Sequence, residues 1–204
     1  GLAALIHEIG VTRLPTGLTY DESPLASDEL SPFRRRPTFS AQLLGGEPPE
    51  YDWLATVVGQ VYEREDGSGF PLGLKGNEIS EEAKVIGLAD FFESCIHMRP
   101  YRAPLTGYQT LFELTTNHAA CFSDRIVKAL IKSFSLYPYN ECVVLDNGEI
   151  GRVIDINPEK LSRPVVDILF DDEDTLTVEP RTVDLAVESE RYISKAISLQ
   201  ALPL

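Results

Sequence analysis

The stretch Glu63-Arg64-Glu65-Asp66-Gly67-Ser68-Gly69-Phe70-Pro71 constrains this chain more than any other, because an apolar helical pattern stops there in a glycine-rich loop closed by proline. Glycines at 67 and 69 admit backbone angles and close approaches that a side chain forbids, and Pro71 fixes the exit direction. Such a loop presents its backbone. The helix predicted before it, from Tyr51 to Glu63, sets Leu54, Val57, Val58, Val61 and Tyr62 on one face at helical spacing. That face is expected to be core, with Val61 and Tyr62 as plain packing.

Other helices follow from the same periodicity. Leu2 to Gly10 reads as a short apolar helix that Gly10 can end, Asp28 to Leu44 as a helix stopped by Gly45-Gly46, and further helices are predicted from near Ser80, over Gly107 to Asn117 and over Ser123 to Ser135. Asp90 falls among Val85, Leu88, Phe91 and Phe92, and a carboxylate in apolar company needs a cation, a metal or several donors. After Tyr137-Pro138 the pattern changes to strands at 142–145, 151–156, 164–170 and 175–178. Asn147-Gly148 between apolar runs is a strong hairpin signal, and Asp171 to Asp174 form an acidic turn whose spacing does not match a calcium loop. Tyr192, Ile193, Ala196 and Ile197 are read as a closing helix.

The fold class expected is therefore mainly α: a helical bundle over residues 1–138, then a small antiparallel β subdomain with a C-terminal helix over 139–204. A formal charge of −14 argues against nucleic acid as a partner, since Arg34-Arg35-Arg36 is the one basic run. Three scattered cysteines without CxxC spacing, no signal-like start and no run long enough to span a bilayer imply a reducing, cytoplasmic setting. His97 and His118 sit outside every motif.

Laid side by side, Ala3-Ala4-Leu5-Ile6-His7-Glu8-Ile9-Gly10, the Asp66 to Pro71 loop, Val85-Ile86-Gly87-Leu88-Ala89-Asp90 and Arg99-Pro100-Tyr101-Arg102 resemble the HD-GYP family in order and spacing. That family is a branch of the HD metal phosphohydrolases known for hydrolysing cyclic di-GMP, and the resemblance covers roughly the first two thirds of the chain. It implies an HD-type helical bundle. It also implies upstream helices that cover the His7 end and carry further ligands, missing from this sequence, and an upstream sensory domain. Active members hold two or three metal ions, usually iron or manganese, which bridge a hydroxide and polarise the phosphate.

Against that pattern the metal site is degenerate. His7 matches the family histidine and Asp90 the family aspartate, but Glu8 stands in place of Asp, Val11 in place of Lys, Arg36 in place of a metal-binding His, and Val61-Tyr62 in place of His-His. His7, Glu8 and Asp90 could hold one weak ion but cannot surround a dinuclear centre. Arg36, permanently charged, is expected to replace the metal electrostatically by pairing with Asp90, Glu8 or both. The loop is kept, with Phe70 for the family Tyr. Asp66, Gly67, Gly69, Phe70, Pro71, Arg99 and Arg102 are the candidate ligand or partner residues, by stacking, phosphate contact or docking to diguanylate cyclase (GGDEF) domains. The bland alternative is a loop that caps the bundle while the arginines pair with local carboxylates.

The expectation is a non-catalytic module of bacterial cyclic di-GMP signalling that needs no cofactor. The alternatives are a cyclic di-GMP phosphodiesterase with an altered iron or manganese site, or a cyclic di-GMP receptor without hydrolysis.

Overall fold

The computed structural model describes residues 1–15, 33–45, 49–99, 103–173, 175–198 and 201–202. Its elements are α1 (Leu2–Ile6), a 3-10 turn (Ile9–Arg13), α2 (Arg36–Leu44), α3 (Asp52–Gln60), a 3-10 turn (Gly76–Glu78), α4 (Glu81–Ile96), α5 (Gly107–Thr115), α6 (Asp124–Phe134), β1 (Cys142–Leu145), β2 (Ile150–Asp155), β3 (Val165–Phe170), β4 (Leu176–Asp184) and β5 (Ile193–Ile197). Helices followed by one antiparallel sheet are the architecture expected from the sequence. The part of the 28–44 helix before residue 33 lies outside the described residues. No helix among the described residues is long and apolar enough to cross a membrane.

The chain forms two compact units. One takes Gly1–Ser94, Met98–Ala103 and His118–Ile126, the other Cys95–His97, Pro104–Asn117 and Val127–Leu204. In the first, α3 buries Leu54, Val57 and Val58, which cluster with Ala3 of α1, with Ile79 after the Gly76–Glu78 turn and with Ala83 of α4. Apolar residues three and four apart share a helix face, which is why one face of α3 disappears from water. Ser40 of α2 is wholly buried and ties the amino-terminal segment down: its hydroxyl accepts from Gly10 N at 2.8 Å and donates to the His7 carbonyl at 2.8 Å.

In the second unit the sheet order is β4-β3-β2-β1-β5, all antiparallel in its pairings. Its core is Val143, Leu145, Val153, Val166, Ile168, Val183 and Leu185 with Tyr137, and the alternation along β3 buries Val166, Ile168 and Phe170 in turn. The Asn147-Gly148 turn closes the β1–β2 hairpin, with Leu145 N donating to Glu149 O at 2.9 Å. Glu141, beside β1, accepts from Gly107 N and Tyr108 N at 3.1 and 3.2 Å, and the α5 start is closed by a Thr106–Gln109 capping box. In the acidic turn, Asp171 Oδ1 accepts from the backbone amides of Glu173 and Thr175.

One expectation is corrected. Residues 193–197 are not a closing helix but strand β5, paired with β1 from Cys142↔Ile197 to Leu145↔Ile193. The apolar spacing at 192, 193, 196 and 197 suits a helix, but β1 offers a free ladder of backbone groups, and Ser194 Oγ adds a bond to Val144 O at 2.9 Å. A distant strand edge outweighs local periodicity here.

Candidate functional site

The site lies wholly in the first unit and is built from four short pieces of chain. His7 and Glu8 leave the end of α1, Arg36 opens α2, Tyr62 follows the end of α3, and Asp90 sits on α4.

His7 is held at both ring nitrogens. Nδ1 lies 2.7 Å from the Ala4 carbonyl and Nε2 lies 3.4 Å from Asp90 Oδ1. Both partners are acceptors, so only the doubly protonated ring donates to each. The Asp90 hydrogen bond is the chief cause that holds the His7 pKa above its ordinary value, partly offset by burial. The partner that apolar surroundings demanded for Asp90 is this imidazolium. Because folding raises the His7 pKa, the stability it contributes is fully present below the ordinary histidine value and is lost as pH rises through the folded-state value. We expect the His7 ring signal in an NMR titration to have a midpoint above 6.5. In Asp90→Asn the midpoint should move back down; a midpoint at or below 6.5 in the parent chain would refute the pairing.

Glu8 is claimed by two donors. Its Oε1 accepts from Arg36 Nη1 at 2.5 Å and from Tyr62 Oη at 2.8 Å. The Arg36 side chain is only 11% exposed, while that of Glu8 is 48% exposed. The guanidinium packs between two rings, with Cζ 3.7 Å from the Phe33 centroid and 4.6 Å from that of Tyr62. Its Nε is buried without a hydrogen-bond partner among the described residues. Burial is the main cause that pushes the Tyr62 phenol well above the ordinary tyrosine range, so it stays a donor to Glu8.

Tyr62 is the residue that sequence reasoning missed, having been read as packing. Its ring does pack, being 6% exposed, but it also links the Glu8 carboxylate to the glycine-rich loop: Phe70 stacks on it at 5.2 Å with planes 4° apart. Arg34 lies over Phe70 at 5.7 Å. The contacts therefore run in series from Phe33 through the Arg36 cation to the stacked pair Tyr62 and Phe70 and on to the Arg34 cation. A phenol inside an apolar helix face was the available signal, because a buried Tyr hydroxyl usually has a partner.

The rest of the loop is held by its own backbone. Phe70 N donates to Tyr62 O at 3.1 Å, and the buried Glu63 carboxylate accepts from Leu72 N at 2.6 Å and Leu74 N at 3.0 Å. Gly67 has φ +82°, a backbone conformation that L side chains rarely adopt, so this position favours glycine. Asp66 turns to Ser68 N and Oγ, bonds that hold its pKa below the ordinary carboxylate value. The Phe70–Pro71 peptide is cis. Arg99 pairs with Glu93 at 3.8 Å; Arg102 lies outside the described residues.

The structure thus brings His7, Glu8, Asp90, Arg36 and, through Tyr62, Phe70 together. Donor atoms of His7, Glu8 and Asp90 all lie within 4.8 Å of one another, a set of one imidazole and two carboxylates that suits a single divalent ion of the manganese, iron or zinc type. It does not suit a pair of ions, since each needs four to six donors and no fourth His, Cys, Asp or Glu joins the group among the described residues. Where the HD-GYP pattern has histidines, a fixed cation and a phenol share Glu8 instead.

A family model described as "HD domain" matches residues 1–125, and one described as "KOW domain associated with HD domain" matches residues 142–203. The chain is 26% identical over 195 residues to the cyclic di-GMP phosphodiesterase PA4108 of Pseudomonas aeruginosa, across 95% of this chain and 47% of the relative. It is 30% identical over 132 residues to the cyclic di-GMP phosphodiesterase response regulator RpfG of Xanthomonas campestris, across 64% of this chain and 35% of that protein. The chain spans less than half the length of these curated relatives. In fold it is similar to Bd1817, an HDG"Y"P protein from Bdellovibrio bacteriovorus, with a TM-score of 0.50 and 19% identity over 63% of this chain and 40% of that one. The matched span contains His7, Arg36, Tyr62, the 66–71 loop and Asp90 together, and the chain belongs to the HD domain family, in its HD-GYP branch.

Proposed function

We propose that this chain is a non-catalytic HD-GYP module of bacterial cyclic di-GMP signalling, working in the cytoplasm through the Asp66 to Pro71 loop. The observation that carries the reading is the Glu8 carboxylate, held by Arg36 and Tyr62 at 2.5 and 2.8 Å where a metal-bridging arrangement would need it open. The names of the relatives, cyclic di-GMP phosphodiesterases, supply the signalling context. GGDEF-type proteins are the partner class that the retained loop suggests, and an upstream sensory domain would supply the input.

A second reading has its own support. The three-donor group could take one iron or manganese ion, and such an ion would polarise a phosphodiester. In that reading the chain's own residues bind and orient: His7 offers Nε2 while Nδ1–H stays on the Ala4 carbonyl, and Asp90 and Glu8 supply carboxylate oxygens. Arg99, a fixed cation on the same unit, is a candidate phosphate contact in a receptor that binds cyclic di-GMP without cutting it.

The test is metal content by inductively coupled plasma mass spectrometry on protein purified without chelator, with a cyclic di-GMP turnover assay in added manganese or iron and calorimetry with the same nucleotide. Substoichiometric metal and no turnover are expected. Turnover that disappears in Asp90→Asn would replace the module by an enzyme, and calorimetric binding without turnover would make it a receptor.

A further inference from the structure

We infer that Arg36 is an internal mask on a single-cation site formed by His7, Glu8 and Asp90, so that this one side chain sets the chain's divalent-metal affinity. The inference rests on the functional reading only in taking Glu8 to be closed by Arg36, and it concerns what would open it.

Three observations carry it. The donor atoms are already gathered within 4.8 Å, and the Nδ1–Ala4 contact leaves His7 Nε2 as the atom that faces the group. An ion there would take the His7 Nε2 lone pair and one oxygen each from Glu8 and Asp90. What opposes it is the guanidinium 2.5 Å from Glu8 Oε1, since a dication bound to that carboxylate would sit against a like charge in a partly buried setting.

Arg36 cannot relieve this by losing its proton. Nor does it lie free to swing away, being sandwiched by Phe33 and Tyr62 with most of its side chain buried. Its Nε finds no hydrogen-bond partner among the described residues in that position, a cost that an apolar side chain of similar length would not carry. The mask is therefore a matter of charge. The Tyr62 hydroxyl is a neutral donor that a metal-bound carboxylate can keep on its oxygen.

The probe is Mn2+ alone, followed by the electron paramagnetic resonance signal of the free ion and by broadening of the His7 ring resonances. Arg36→Met is expected to bind Mn2+ about tenfold more tightly or better than the parent chain, the equivalent of removing one charge-assisted contact to Glu8. The gain should vanish when Asp90→Asn is added. Arg36→Lys, which keeps the charge, should bind as weakly as the parent, and Tyr62→Phe should change affinity by less than about threefold. Equal affinities for the parent and Arg36→Met overturn the inference, as does a gain in Tyr62→Phe or Arg36→Lys. If Arg36→Met fails to fold, Arg36→Gln makes the same neutral comparison and is expected to show the same gain over the parent. Cyclic di-GMP turnover by the parent at saturating Mn2+ would sink the non-catalytic reading and leave this comparison standing, whereas equal affinities would sink the mask and leave that reading intact.

Discussion

Glu63→Ala is expected to lower the thermal midpoint by about 10 °C and to open the loop that follows α3. The Glu63 side chain is 5% exposed, and its two oxygens receive the amides of Leu72 and Leu74 at 2.6 and 3.0 Å. A hydrogen bond to a charged group contributes about 1.5–3 kcal/mol, and truncation leaves both amides without their acceptor, so the loss is about 3–5 kcal/mol. For a chain of this length each kcal/mol moves the midpoint by about 2–4 °C. Glu63→Gln should lose most of the same stability, because its amide nitrogen would face an N–H. The checks are differential scanning calorimetry and hydrogen exchange at Leu72 and Leu74. A midpoint within about 2 °C of the parent, with both amides still protected, would show that Glu63 does not hold the loop.

Gly87→Ala should also destabilise, against the usual sign. Inside a helix that change ordinarily gains about 1 kcal/mol. In α4, however, a Cβ at position 87 would lie 2.3 Å from the Val61 carbonyl oxygen, which also accepts from Arg64 Nη1 at 3.2 Å. Backbone must move to make room, and overpacking of this kind costs about 1–3 kcal/mol or more. Urea denaturation should give a lower midpoint with an unchanged slope. Ala89→Gly on the exposed side of the same helix should lose only about 1 kcal/mol, the propensity difference alone. A Gly87→Ala chain more stable than the parent would mean that α4 does not approach Val61 as described.

How far the sequence could be read depended on whether the deciding partner was local. The loop, the 142–155 hairpin and the apolar face of α3 are visible because glycine, proline, Asn-Gly and helical spacing act within a few residues. The need of Asp90 for a partner was legible in its apolar neighbours, yet His7 stands 83 residues away and could not be singled out by spacing. Tyr62 looked like packing because its hydroxyl partner, Glu8, is 54 residues distant. Residues 193–197 carry a pattern that fits either element, and the choice was made by the edge of β1, about fifty residues earlier. Arg36 was visible as a charge out of pattern, but its two stacking rings were not.

The sheet order has a consequence for how the second unit comes into being. Strands β1 to β4 pair as neighbours in the order of synthesis, but the outer edge of β1 is covered by β5 alone. A nascent chain that has completed β4 therefore still shows an open ladder at Cys142–Leu145, the kind of edge that recruits foreign strands. At ordinary translation rates that interval lasts on the order of a second per ten residues. Stalling or cleavage between 185 and 192 would leave four strands correctly paired and one adhesive edge, so the quality of this unit is decided by the last strand to arrive.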